Sequence, residues 1–187
     1  MPFIKSYYIN KIKLTNVPIK SNNFDKFELL IIRNYNQLNK LREENYRFGE
    51  WNLKYINNQL LNNCIAISFF KDKKLAHQRW IATCINSKKF VENWPININW
   101  KFEACWGNAF TLPKYRNNGL NKLSIKECIN FLKSIGIRNV FFTIQKKNYI
   151  NVKSYSKYNI IKIGEGYYFY LNRFLNFRIT IKKINEQ

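Results

Sequence analysis

Short runs of apolar residues separated by polar turns dominate this chain, and one long stretch changes to a helical period. Residues 27–33, Phe-Glu-Leu-Leu-Ile-Ile-Arg, predict a first strand. Gln37–Asn45 and Trp51–Leu61 predict two helices, the second with Trp51, Tyr55, Leu60 and Leu61 able to share a face. Cys64–Phe70 and Leu75–Cys84 read as a hairpin across the polar turn Lys71–Lys74. Asn86–Asn99 is irregular, carries Trp94-Pro95, and reads as a loop over one end of a sheet. Phe102–Thr111 follows as a strand. Phe102, Ala104, Trp106 and Phe110 fall on one face, and Glu103, Cys105, Gly107, Ala109 and Thr111 on the other.

Asn117–Ile135 is the stretch with the helical period. At 100° per residue Leu120, Ile125, Cys128, Phe131, Leu132 and Ile135 form one apolar face, with Lys122, Lys126 and Lys133 opposite. Gly136 is a natural stop. Val140–Ile144 predicts a strand, Tyr149–Tyr158 a short helix, and Ile160–Leu171 and Phe174–Ile181 two closing strands. The order β-α-α-β-β-β-α-β-α-β-β implies an α/β fold with one mixed sheet. Residues 1–24 read as an N-terminal extension and 25–187 as a single domain.

Composition adds little to that picture. A chain of 187 residues with 46% hydrophobic and 17% aromatic residues can bury an ordinary core. No apolar run approaches the roughly 18 residues that a membrane span needs, and no secretory leader is read at the start. Cys64, Cys84, Cys105 and Cys128 form no CxxC pair, and one histidine, His77, cannot complete a usual zinc set. Free thiols in a reducing cytoplasm, with no metal, are therefore expected.

The net charge of +21 favours anions in general. The lysines are scattered, and Lys, Asn and Ile share A/T-rich codons, so base composition is an equal explanation.

Chemistry gathers at residues 111–120. Thr111-Leu112-Pro113-Lys114-Tyr115-Arg116 leads into Asn117-Asn118-Gly119-Leu120 at a strand-to-helix junction. Gly119 lets backbone approach a ligand closely. The N–H groups of Asn117 to Asn121 are the open donors of a first helical turn, suited to phosphate.

This turn and the element order resemble the GNAT acyltransferase superfamily, most closely from about Glu103 to Tyr170. The superfamily's pyrophosphate turn reads Gln/Arg-x-x-Gly-x-Gly/Ala. Here it is Arg116-Asn117-Asn118-Gly119-Leu120-Asn121, with Asn121 in place of a small residue. A second match starts at Asn148, followed by Asn151, Tyr155 and Lys157, with Asn159 where the family has Gly. A register starting at Asn151, with Ser154 as the small residue, is the rival.

The resemblance implies a single mixed, mostly antiparallel sheet with helices on both faces. It implies an N-acetyltransferase that uses acetyl-CoA as acyl donor and a small-molecule or protein amine as acceptor. Phe110, Thr111 and Leu112 would contact the pantetheine arm by backbone. Arg116, Asn117, Asn118, Gly119, Leu120 and Asn121 would hold the pyrophosphate, with Asn148 and Asn151 on the same cofactor. The amide of Asn121 is expected to donate to phosphate. Tyr155 would protonate the leaving thiolate. Glu103 would be the base or the amine-binding carboxylate, and His77 is the other conceivable base. A basic nucleic-acid-binding module using interleaved Lys, Arg, Tyr and Phe is the alternative, and a relative that binds without turnover is a third reading. Self-association, if any, is expected through the edge of the C-terminal strand pair.

Overall fold

The computed structural model describes residues 3–17, 26–170 and 176–182. Eight strands form one sheet in the order β2-β3-β4-β5-β6-β1-β7-β8. The strands are β1 (Phe3–Lys13), β2 (Glu28–Ile32), β3 (Ile65–Lys71), β4 (Lys74–Ala82), β5 (Glu103–Thr111), β6 (Asn139–Gln145), β7 (Ile160–Tyr170) and β8 (Asn176–Lys182). The helices are α1 (Tyr35–Glu43), α2 (Glu50–Leu61), α3 (Ile85–Val91), α4 (Leu120–Ser134) and α5 (Tyr149–Ser154). All neighbouring strands are antiparallel except β5 and β6.

Local chemistry accounts for most of these elements. The Asn34 side chain accepts from the Gln37 N–H and starts α1 two residues earlier than expected. Asp72 and Lys73 both have positive φ, the two-residue hairpin geometry that matches strand twist. Gly136, at φ +82°, ends α4, and the N–H groups of Gly136 and Ile137 return to Lys133 and Leu132.

Two cores lie on the two faces of the sheet. α4 packs Leu120, Ile125, Cys128 and Leu132 against Ile67, Trp106 and Phe142. On the other face Leu38, Ile56 and Leu60 of α1 and α2 pack with Phe70, Trp80, Cys105 and Phe141.

Four expectations are corrected. Residues 3–13 are not outside the fold: β1 lies inside the sheet, paired with β6 and β7. Its lysines obscure an apolar series, Ile9, Ile12 and Leu14, that is buried. The segment read as a loop at 86–99 begins as α3, a seven-residue helix whose N-cap Cys84 makes no side-chain cap bond. The buried side of α2 carries Ile56 and Leu60, while Tyr55 and Leu61 are exposed, as is Ile135 after α4. The helix expected over 149–158 stops at Ser154, followed by tight turns from Val152 to Tyr155 and from Tyr155 to Tyr158.

The cysteines are unpaired, and burial pushes the Cys64 and Cys128 thiols up to about 12. Among the described residues no His/Cys/Asp/Glu group could hold a metal, and no helix is long and apolar enough to cross a membrane.

Candidate active site

The parallel pairing of β5 with β6 covers only Glu103–Cys105 against Asn139–Phe141. Beyond Trp106 and Phe142 the two strands separate. β5 stays with β4, and β6 stays with β1. A bulge reinforces the departure. Gln78 pairs with Phe110 and Trp80 with Gly107, so Asn108 and Ala109 together face the single residue Arg79. Asn108 has φ +48° there.

The gap opens into a cavity of about 570 Å³ on the α4 side. Its rim is the turn that precedes α4. Asn117 at φ +64° and Gly119 at φ +71° turn the chain from the 3₁₀ turn Pro113–Tyr115 into the helix. Lys122 and Leu123 already donate to the Gly119 carbonyl. The N–H groups of Asn117 to Asn121 have no partner among the described residues, which leaves five donors at the positive end of a 15-residue helix. Arg116 and Lys122 line the same rim.

Of the residues expected in the site, Phe110, Thr111, Arg116, Asn117, Gly119, Leu120, Asn121, Asn148, Asn151 and Tyr155 all line this cavity. Leu112 does not, and its N–H is taken by the Ala76 carbonyl. Asn118 is also outside, its amide turned back onto the carbonyls of Tyr115 and Arg116. Asn148 caps α5 by accepting from the Asn151 N–H at 3.0 Å, which supports the register starting at Asn148.

Glu103 is not brought to the cavity. It sits where β5 and β6 are still paired, accepts from the Asn99 N–H and the Asn139 amide, and meets Lys11 at 3.5 Å. Strand direction explains the difference: the splay opens at the far end of β5 from Glu103. Its carboxylate holds the closed end of the strand pair together.

His77 does line the cavity, with Nδ1 2.7 Å from the Thr111 hydroxyl. Burial and the adjacent Arg79 charge lower its pKa to about 3, so it is neutral and a poor base.

The floor of the cavity is a polar cluster that sequence reasoning missed. Arg79 is 2% exposed. Its Nε donates to the Ser124 hydroxyl, Nη1 to the Tyr155 hydroxyl at 3.0 Å, and Nη2 to the Asn121 side-chain oxygen at 2.6 Å. The Asn121 amide donates in turn to Ser154 and Asn151. This accounts for Asn121 where a small residue was expected. The side chain is committed to the Arg79 cluster and is not a phosphate donor. None of the ion pairs among the described residues involves Arg79. A buried guanidinium with only neutral partners leaves a positive field at the cavity floor. A polar run, His77-Gln78-Arg79, in the middle of a strand with apolar residues on both sides was the signal for it.

Tyr155 is buried against a pair of rings, with Phe142 stacked at 4.5 Å and Trp106 at 6.3 Å. Burial raises its pKa, and Arg79 opposes that rise. The phenol is therefore protonated at neutral pH. Because Arg79 donates to the phenolic oxygen, the O–H keeps its own proton for an acceptor in the cavity. Two further buried polar atoms on the lining, Trp106 Nε1 and His77 Nε2, have no hydrogen-bond partner among the described residues. Free N–H groups at the rim and open polar atoms inside fit a ligand with phosphates at one end and a polar, narrow arm at the other.

No family model and no curated protein matches the sequence significantly. Solved structures do match the fold. An acetyltransferase from the GNAT family of Colwellia psychrerythraea superposes with TM-score 0.52 at 12% identity, over 86% of this chain and 53% of that one. A GCN5-related N-acetyltransferase-like protein of Streptococcus suis gives 0.53 at 14%, over 90% and 63%. The GCN5-related glucosamine N-acetyltransferase region of a fungal multi-domain β-N-acetylglucosaminidase gives 0.56 at 8%, over 94% and 20%. The chain thus spans between a fifth and two-thirds of the length of these proteins. At these identities the likeness is one of architecture. The mixed sheet with helices on both faces is that of the GNAT acyl-CoA N-acyltransferase fold.

Proposed function

We propose that the protein is an acyl-CoA-dependent N-acyltransferase, with acetyl-CoA as donor and a primary amine as acceptor. The observation that carries this reading is the continuity of the cleft. It runs from the five free N–H groups at the start of α4, along the stretch of β5 that has left β6, to the Tyr155 hydroxyl. A pyrophosphate belongs at the first end and a thioester at the last.

The donor supplies an activated acyl group: a C–N bond forms to the amine while the C–S bond breaks. This chain's residues supply position and protons. The rim N–H groups, Arg116 and Lys122 fix the anionic end by charge-assisted bonds. The edge of β5 that β6 has left orients the arm as an added strand would. Tyr155 gives its proton to the leaving sulfur, and Arg79 holds the phenol in place and stabilises the phenolate left behind.

Gly119→Val tests the rim. A Cβ at Gly119 meets no atom within 4 Å, so the effect comes from the backbone. A β-branched residue is strained at φ +71°, and relaxing it re-aims the N–H groups. Acetyl-CoA affinity is expected to fall at least tenfold by calorimetry, with melting temperature changed by only a few degrees. Unchanged affinity would remove the turn from the donor site.

A further inference from the structure

Asn121 belongs to both ends of the cleft at once. Its backbone N–H is one of the open donors at the start of α4, and its side chain is part of the Arg79 cluster. Arg79 is attached to this one residue twice. Nη2 donates to the Asn121 side-chain oxygen at 2.6 Å. Nε donates to the Ser124 hydroxyl at 3.0 Å, and that hydroxyl donates to the Asn121 carbonyl at 2.9 Å. The third nitrogen, Nη1, is the one on the Tyr155 oxygen. A planar guanidinium with all three nitrogens engaged cannot turn at one of them without disturbing the others.

The amide of Asn121 reaches α5. It donates to the Ser154 hydroxyl at 3.0 Å and to the Asn151 side-chain oxygen at 3.3 Å. Ser154 is buried and directly precedes Tyr155. One side chain therefore ties β4, the first turn of α4 and the last turn of α5 together, and it touches both the Arg79 partner of the phenol and the backbone neighbour of Tyr155. A small residue at this position makes none of these bonds.

We propose that Asn121 is a positioning residue that couples the phosphate rim to the acid: a polyphosphate on its N–H fixes its side chain, and through Arg79 the aim of the Tyr155 hydroxyl. The proposal rests on the acyltransferase reading above. The link is a contiguous chain of hydrogen bonds in a site of low dielectric, where each bond polarises the next. Two titratable neighbours of the phenol, Cys128 on α4 and Tyr158 beyond α5, are uncharged at neutral pH because burial raises both, which leaves the field at the oxygen to Arg79.

The test uses tyrosine labelled with carbon-13 at Cζ, the Tyr155 resonance being assigned by its loss in Tyr155→Phe. The probe is adenosine 3′-phosphate 5′-diphosphate, the anionic end of coenzyme A without the arm that would touch Tyr155 directly. Saturating probe is expected to move the Tyr155 resonance in wild type. Asn121→Ala keeps the rim N–H, so calorimetric affinity for the probe is expected within about threefold of wild type, while the probe-induced shift falls to half or less. Ser124→Ala cuts the second link, leaves the rim N–H groups in place and is expected to reduce the shift as well. It serves as the second variant should Asn121→Ala not fold.

Turnover supplies an independent reading. With acetyl-CoA and glucosamine or phenethylamine, Asn121→Ala is expected to lower kcat about 10- to 100-fold at unchanged KM for acetyl-CoA, part of what a general acid contributes. Added to Tyr155→Phe it is expected to lower kcat by less than about threefold more, since a residue that acts through the phenol then has nothing to position.

A wild-type Tyr155 resonance that the probe does not move, a shift that Asn121→Ala retains by more than half, or losses that multiply in the double variant would overturn the proposal. Failure of wild type to bind acetyl-CoA would instead remove the acyltransferase reading, and this inference with it.

Discussion

Tyr155→Phe is expected to lower turnover by about 10² to 10⁴ while acetyl-CoA affinity stays within a few-fold of wild type. Only the hydroxyl changes, and the ring still stacks on Phe142 and Trp106. The rim N–H groups proposed to hold the donor's anionic end lie at the other end of the cleft. Removing the oxygen leaves Arg79 Nη1 buried without its acceptor, a cost of about 1–3 kcal/mol to folding. Urea denaturation gives that cost separately from the kinetics. A variant that folds, binds donor and turns over at the wild-type rate would take Tyr155 out of the mechanism. Loss of donor affinity would give the residue a binding role instead.

Gly107→Ala carries the largest expected effect on stability. The added carbon would sit 2.3 Å from a backbone oxygen, that of Val91, so no side-chain rotation relieves it. The end of α3 has to move away from β5. Overpacking of a side chain costs about 1–3 kcal/mol, and a clash with backbone belongs at or above the upper end. For a domain of this size about 3 kcal/mol corresponds to roughly 6–12 °C in melting temperature. Gly119→Ala is the control, because its Cβ enters open space and costs only the left-handed conformation, about 1–2 kcal/mol. Equal melting temperatures for the two variants would mean that the α3–β5 contact is not as close as described.

What the sequence showed of this molecule follows from how local each signal is. The β3–β4 hairpin, the long helix and the Arg116–Gly119 turn are written in adjacent residues, through period, turn chemistry and a glycine at positive φ. Of the thirteen residues expected around the cofactor or in catalysis, ten line the cavity, placed there by that turn, by β5 and by α5 with its two caps; Leu112 and Asn118 lie outside it, and Glu103 lies at the closed end of the strand pair. Its position depended on which end of β5 and β6 stays paired, and that is set by tertiary contacts.

β1 was hidden for a similar reason. Its pairing partners are β6 and β7, more than a hundred residues away, and its alternating lysines look like a solvated tail. The Arg79 cluster joins residues 45 and 76 positions apart, so each member looked ordinary alone. Asn121 was read as a departure from a motif and proves to be the partner of a buried charge on β4.

The central claim is a shaped donor site, and calorimetric titration with acetyl-CoA tests it most directly. The titration belongs at physiological salt and again at several-fold higher salt, because a chain with net charge +21 holds any polyanion loosely when screening is weak. One-to-one binding that survives the added salt is the predicted result, since the rim N–H groups and the cleft walls recognise shape as well as charge. Binding that vanishes as salt rises would contradict it: the turn before α4 would then be only a turn on a basic surface.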